Sequence, residues 1–462
     1  MHLKRAKENC DILVVSITSS EFVNKGPNKP FYDNEKRMEF LSSFSFVDYI
    51  YLSKEKTAEK IIKNLKPDYY FKGDEYEDPK NDHTNNIKKE LNVLKSISGK
   101  IIYTREKSLS SSNIYNNFFS ENIEKLKSLK KNISFKSILE NFKEISKLNV
   151  LVIGDLIIDR YFFCSSLGKS PKEDLISVKN INSETYGGGI IATANHVSQF
   201  VKKTTLISTI GRSENNKLYL NFIEKKINKK IFKVNSSAVI EKNRFLEVGS
   251  KRKLFQNLSN DFIRLSPKIE TDIIKYLNNN LKNFDLVIVN DFGHGLLTAN
   301  IRNLIQKKSK FLALNCQTNS SNLGYNFITK YKIADYITID EPEARLSSQK
   351  RFAKIYEVID VLKKQIKFKT CSVTMGEKGS LVFKSKSKSI FEFPALTNIT
   401  EDTVGAGDAY FALSSLFAFV EKKLETIAFV GNVAGGIKVS YLGHSKYIKK
   451  NAVIGFIKSL FA

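Results

Sequence analysis

The run Asp402-Thr403-Val404-Gly405-Ala406-Gly407-Asp408 carries the densest chemistry in the chain. Gly405, Ala406 and Gly407 have little or no side chain, so their backbone N–H groups can approach an anion closely. The apolar stretch 409–413 that follows predicts a helix. Those amides then sit at a helix amino terminus, where the dipole favours phosphate. Such a cradle stabilises negative charge developing on a phosphoryl group in transfer. Asp408, just inside the turn, stands where a carboxylate can take the proton of an attacking hydroxyl. A plain helix cap behind a glycine turn needs only one or two of these residues, and the full string outweighs that reading.

Weaker signals lie upstream. Asp340 and Glu343 have the spacing of a helix amino-terminal pair and equally of two carboxylates near a metal. Gly376 and Gly379 alone read as a hairpin turn, and His294 alone as an ordinary loop histidine.

The elements that must position these groups form two α/β patterns. In the first, strands are predicted at 11–17, 49–52, 69–71 and 100–103, with helices at 3–9, 34–44, 58–65 and 86–96. Strands alternating with helices at this spacing imply a parallel sheet covered on both faces. Residues 119–147, rich in Lys, Asn and Ser with helical periodicity, read as a helical linker. A buried strand at 150–153 opens a second α/β unit over 148–462, with another strong strand at 286–289.

Composition narrows the classes. A chain of 462 residues predicts two domains. No apolar run is long enough for a membrane span, and the amino terminus shows no apolar signal core. Four scattered cysteines with no Cys-x-x-Cys pair fit a reducing cytoplasm and argue against zinc or a disulfide framework. The net charge of +26 invites a nucleic-acid reading, but the excess is Lys spread through the whole chain rather than an Arg- and aromatic-rich patch. The partners expected are small molecules, with neither nucleic acid nor membrane.

In their order, these motifs resemble the ribokinase-like (PfkB) carbohydrate kinases, over residues 149–462. Gly154-Asp155-Leu156-Ile157-Ile158-Asp159 resembles that family's first strand, and Gly187-Gly188-Gly189 its Gly-Gly signature. Asn290-Asp291-Phe292-Gly293-His294-Gly295-Leu296 resembles a loop near substrate, Asp340-Glu341-Pro342-Glu343 the Asn-x-x-Glu motif, and Thr374-Met375-Gly376-Glu377-Lys378-Gly379 a turn beside the nucleotide. Gly431-Asn432-Val433-Ala434-Gly435-Gly436 resembles the helix flanking the adenine. The resemblance implies an α/β/α sandwich with a small β lid, using ATP and Mg²⁺ and pairing as a homodimer through the lid. Asp408 would be the base, with the 405–407 amides as the anion hole. Asp159, Gly187, Gly188, Gly189, Asn195 and Asp291 would hold the sugar. Thr374, Gly376, Gly379 and Asn432 would hold the nucleotide, and Glu343 with Asp340 the metal. The lid is expected at 177–186 and 238–254, the latter with Arg244. There are two departures: Ile190, Ile191, Ala192, Thr193 and Ala194 intervene before Asn195, and Asp340 stands where the family has Asn.

The amino-terminal residues 1–118 resemble the cytidylyltransferase-like nucleotidyltransferases, particularly the adenylyltransferase half of bifunctional heptose-phosphate kinase/adenylyltransferases. Lys25, Arg37, Lys72, Gly73 and Ser110, Ser111 and Ser112 match the positions that surround the nucleotide in that family, and the resemblance implies a Rossmann-like α/β/α sandwich. The family's first strand and His-x-Gly-His turn have no counterpart here, because the chain begins inside the helix that follows them. Either the start lies upstream of Met1, or this half lacks that strand and its transferase chemistry is impaired. The expected function is ATP-dependent phosphorylation of a sugar phosphate, a heptose 7-phosphate at its anomeric hydroxyl. The alternatives are a kinase for another sugar with a non-catalytic amino-terminal module, or a sugar and nucleotide sensor without turnover.

Overall fold

The computed structural model describes residues 2–461 except 24, 25, 27–29, 74–85, 105–122, 388, 398, 399 and 422. The chain divides into two compact units, Met1–Ile123 with Ile454–Ala462, and Glu124–Val453.

In the first unit the predicted strands appear as β1 (Val14–Thr18), β2 (Tyr49–Ser53), β3 (Tyr69–Gly73) and β4 (Lys100–Thr104). They pair in parallel as expected, but as two separate ribbons, β1–β2 and β3–β4, rather than one sheet. A shared apolar cluster spans both ribbons: Ala6, Leu13, Val15 and Ile17 bury together, and Phe71 of β3 packs against them.

The second unit is built on nine strands. β5 (Asn149–Gly154) and β12 (Leu286–Asp291) lie side by side at its centre. Nearly every residue of both is buried, as strands covered on two faces must be. β8 (Lys203–Arg212) and β9 (Asn228–Ala238) extend the sheet beyond β5. β13 (Leu312–Cys316), β14 (Tyr336–Asp340) and β15 (Thr370–Thr374) extend it beyond β12. All these pairs are parallel; β16 (Ser380–Lys384) and β17 (Ile390–Phe393) close the far edge antiparallel. The chain leaves in opposite directions from β5 and β12, so the crevice at their carboxyl ends is a topological switch point, where open α/β sheets bind ligands.

A second, four-stranded sheet forms the lid, in the order β11-β10-β6-β7. β6 (Leu156–Lys169) and β7 (Ile176–Gly189) form a long antiparallel hairpin, joined by β10 (Glu241–Glu247) and β11 (Lys253–Leu258). Both expected lid segments fall in it. Strand alternation gives the lid two faces. Phe162, Phe245 and Phe255 stack on one, with ring centroids 4.8 and 4.4 Å apart. Asp159, Lys242 and Arg244 line the cleft on the other.

The Lys-rich segment read as a linker is more tightly integrated than its composition suggests. Ser134 and Ser137 form a capping box that starts the helix Phe135–Ile145. Ile138, Phe142 and Ile145, at helical spacing, are buried. Phe142 stacks on Phe200 and meets Phe417 edge-on at 5.0 Å, so this helix is part of the second unit's layer.

Candidate active site

The helix Ala406–Val420 is apolar on every side and buried from Asp408 to Phe417, so its amino terminus is held rigidly against the sheet. Gly405 caps it with φ +79°, a left-handed conformation that favours glycine. Any Cβ there would also lie 3.0 Å from His444 Nδ1 and 3.1 Å from Lys438 Cε. Helix geometry leaves the first amides without intrahelical acceptors. The Ala406 N–H turns back to the Thr403 carbonyl at 3.2 Å, while Gly407 opens onto free space, with no atom within 4 Å of where a Cβ would stand.

Asp408 is 7% exposed, and its Oδ1 accepts two side-chain amides: Asn290 Nδ2 at 2.9 Å and Gln317 Nε2 at 3.0 Å. Asn290 is itself fixed by Thr193 Oγ1 at 3.0 Å. Asn290 lies at the end of the central strand β12, and Gln317 directly follows β13. Two donors on Oδ1 fix the orientation of the carboxylate and leave Oδ2 without a protein donor among the described residues.

A cleft opens at this switch point, where polar side chains from the lid and the sheet converge. Asp159, Gly189, Gly405 and Asp408, all expected from sequence, line it together with Lys242, Arg244, Phe292, Gln317 and His444. Asp159 forms an ion pair with Arg244 and meets His444 Nε2 at 3.3 Å. Burial alone would raise its carboxyl, but Arg244 and His444 outweigh burial and hold it well below the usual carboxylate range. Gly187 and Gly188 pair with Ile158 and Ile157 of β6, and a Cβ on Gly188 would collide with the Asp159 carboxylate. The triple glycine thus lets β7 pass over Asp159.

Behind the glycine turn, Asp402 ties the lid to the floor. It accepts Lys253 Nζ of β11 at 2.7 Å, Tyr161 Oη of β6 at 3.1 Å, and the amides of Gly443 and Val404 at 2.9 and 3.1 Å.

Of the expected sugar ligands, Gly187, Gly188, Asn195 and Asp291 do not line the cleft. Asp291 is buried against Tyr331 Oη and Lys330 Nζ, both at 2.6 Å, and accepts the Gly293 amide. Successive residues of a strand face opposite ways, so once Asn290 points at Asp408 its neighbour points away. Asn195 braces the 222–224 loop, donating to the Phe222 carbonyl and accepting the Glu224 amide. Asp155 is likewise a structural anchor, accepting the amides of Phe292, His294 and Leu296.

The expected nucleotide residues meet one another away from that cleft. Thr374 ends β15; Gly376 and Gly379, at φ +58° and +92°, make the turn into β16. Ser380, next to Gly379, receives Asn432 Nδ2 at 2.7 Å and Tyr410 Oη at 3.0 Å.

Asp340 and Glu343 form a capping box for the helix Glu341–Ser348, with Asp340 accepting the Glu343 amide at 2.7 Å and Glu343 the Asp340 amide at 3.1 Å. The other Glu343 oxygen accepts the Thr318 amide at 2.8 Å, adjacent to Gln317. With both oxygens committed, Glu343 is not placed as a direct chelating ligand, and among the described residues no three metal-ligating side chains cluster. Burial, then Asp340 and Asp408, push its carboxyl up to about 8. A cation carried in on nucleotide phosphates would relieve that crowding, so the pair suits an outer, water-mediated position.

In the amino-terminal unit, Arg37 donates to the Thr18 carbonyl at 2.9 Å, and Lys72 pairs with buried Glu90 at 3.1 Å. Gly73 ends β3. Lys25, Ser110, Ser111 and Ser112 lie outside the described residues.

A held carboxylate, a glycine turn at a buried helix terminus and a β lid over a switch-point cleft are an arrangement that suits phosphoryl transfer. Residues 147–451 match the pfkB family carbohydrate kinase profile, and residues 1–117 the cytidylyltransferase-like profile. The chain belongs to the pfkB family of carbohydrate kinases, ATP-dependent enzymes that work with a divalent metal, and carries a cytidylyltransferase-like domain ahead of the kinase. Curated relatives include the bifunctional protein HldE of Histophilus somni, 25% identical over 305 residues, and of Haemophilus influenzae, 26% identical over 305 residues. Each alignment covers 65% of this chain, which spans 62% of either relative's length. Among solved structures, the phosphofructokinase-2 of Escherichia coli in complex with fructose-6-phosphate shares the fold at TM-score 0.53 and 12% identity, covering 68% of this chain and 99% of that one. The ribokinase of Thermotoga maritima does so at TM-score 0.52 and 18% identity, covering 67% and 99%.

Proposed function

We propose that this chain phosphorylates a sugar that already carries a phosphate, a heptose 7-phosphate at its anomeric hydroxyl, within nucleotide-activated sugar synthesis. The observation that carries the reaction is Asp408, fixed by Asn290 and Gln317 beside the Gly405 turn. The sugar hydroxyl gives its proton to Asp408 Oδ2. Its oxygen forms a bond to the γ-phosphorus of ATP, and the bond to the bridging oxygen breaks, with ADP leaving on the electron pair. Asp159, held ionised by Arg244 and His444, orients the sugar hydroxyls. Glu343 and Asp340 would hold, through water, a divalent metal brought with ATP, which would supply charge neutralisation.

Lys242 supports a phosphorylated substrate. It reaches the cleft from the lid, lies 5.7 Å from the Phe292 ring and forms no ion pair among the described residues. Lys242→Met should raise KM for the sugar phosphate at least tenfold with little change in KM for ATP; equal KM values would remove Lys242 from substrate binding. Ile176, Ile181 and Phe255 of the lid are exposed, which supports pairing of two copies through the lid. Light scattering of the purified chain tests the dimer.

The amino-terminal half is proposed to be a poor transferase. Lys72, which the family resemblance places at the nucleotide, is paired with Glu90. Following ADP and pyrophosphate separately across a panel of sugars, sugar phosphates and sugar 1-phosphates tests both halves. ADP without pyrophosphate is expected; pyrophosphate release from a sugar 1-phosphate would overturn the second claim.

A further inference from the structure

Lys438 is the last residue of the helix Leu424–Lys438 and is 0% exposed. A buried ammonium is costly unless its charge is used or paired. Among the described residues Lys438 forms no ion pair within 4.0 Å. Its Nζ reaches the Tyr441 carbonyl at 3.4 Å and lies 4.6 Å from the Tyr441 ring centroid. An ammonium has three donors, and this environment answers them weakly.

Its position is specific. Lys438 Cε would lie 3.1 Å from a Cβ on Gly405, so the side chain runs directly behind the glycine turn that opens the anion hole. Asp402 and Asp408 face it from that turn and helix, Lys253 from β11 and Asp159 from β6. His196 faces it from the helix Ile190–Val197, and His444 lies in the loop beyond Tyr441. Burial lowers the ammonium to about 8, with Asp402 and Asp408 partly opposing and Lys253 reinforcing the shift. The cation is thus the ionised form at neutral pH and the lost form in mild alkali.

We propose that Lys438 is a positioning residue that sets a fixed positive charge behind Gly405, offsetting the negative charge of the phosphoryl group during transfer. The proposal rests on the kinase reading above and adds a side-chain charge to the anion hole built from backbone amides. Its effect should fall on turnover more than on sugar binding, because the charge lies on the phosphoryl side of the cleft.

The test is steady-state kinetics of the full chain and Lys438→Met from pH 6 to 10, with melting curves for both. In the wild type, kcat/KM for ATP should fall as pH rises past about 8. Lys438→Met should lose about 100-fold in kcat at pH 7 with sugar KM within a few-fold, and that alkaline limb should vanish. Should Lys438→Met fail to fold, Lys438→Ala supplemented with ethylammonium answers the same question, since the small cation should restore turnover. A well-folded Lys438→Met with wild-type kcat and an unchanged alkaline limb would overturn the proposal, as would a wild-type profile flat to pH 10. A wild type releasing no ADP with any sugar phosphate would sink the kinase reading itself, and this proposal with it.

Discussion

Asn290→Asp is the most informative change to the base. In the wild type, Asn290 Nδ2 donates to Asp408 Oδ1 at 2.9 Å, and the second donor, Gln317, stands at 3.0 Å. The substitution replaces a donor with a carboxylate at the same place, so two acids about one hydrogen bond apart must share a proton at neutral pH. A hydrogen bond to an ionised group contributes roughly 1.5–3 kcal/mol, which converts to a fall of roughly 10- to 150-fold in kcat. The repulsion adds a pH signature. The acid limb of kcat should move up by at least one unit, with partial recovery toward pH 9. Asn290→Ala removes the donor without adding charge, so it should share the fall but show a smaller shift of that limb. Coupled ADP-release assays from pH 5 to 9 measure all three proteins. If Asn290→Asp stays within twofold of wild type across the range, Asp408 is not the group whose ionisation drives the reaction.

Other outcomes follow from the same geometry. Glu343 has its folded carboxyl raised to about 8 against 4.5 in a solvated chain, so wild-type stability should decline as pH rises from about 4.5 to 8. Glu343→Gln should flatten the dependence of Tm on pH across that window; an unchanged slope would refute the assignment. Gly405→Ala forces a side chain into φ +79° and against His444, at a backbone cost of about 1–2 kcal/mol, and should lower Tm by several degrees. Gly407→Ala meets nothing within 4 Å, so it should keep the wild-type Tm yet lose turnover, because the new methyl occupies space left for phosphate. Calorimetry and initial rates on the pair distinguish structural from chemical roles for the two glycines.

Much of this site could be read along the chain because its chemistry is local. The glycine turn, its helix and Asp408 are contiguous, and Asp159 and Gly189 come from one hairpin, so a string of letters contained their relation. Residues that meet only through the sheet were harder to find. Asn290 and Gln317 sit at the carboxyl ends of adjacent parallel strands, and the rule that ligands bind at such ends would have ranked them above Asp291. Strand alternation decides between Asn290 and Asp291, and its phase shows only once the neighbours are placed. Asn195, which the family resemblance assigns to the sugar, braces a loop instead. Lys438 left a trace: it is the only Asp, Glu, Lys or Arg between 426 and 444, in a chain otherwise crowded with lysine. The Lys-rich segment misled in the opposite sense, because its composition hid the buried face of Ile138, Phe142 and Ile145.

The central claim is that Asp408 is the base of an ATP-dependent sugar kinase, and Asp408→Asn tests it most directly. The variant keeps the size of the side chain, so it should retain the wild-type Tm and its affinity for ATP by calorimetry. ADP release with the best sugar phosphate of the panel should fall at least a thousandfold at every pH from 6 to 9, at the upper part of the range for losing a positioned base. Turnover by Asp408→Asn within tenfold of wild type, with binding intact, would contradict the account.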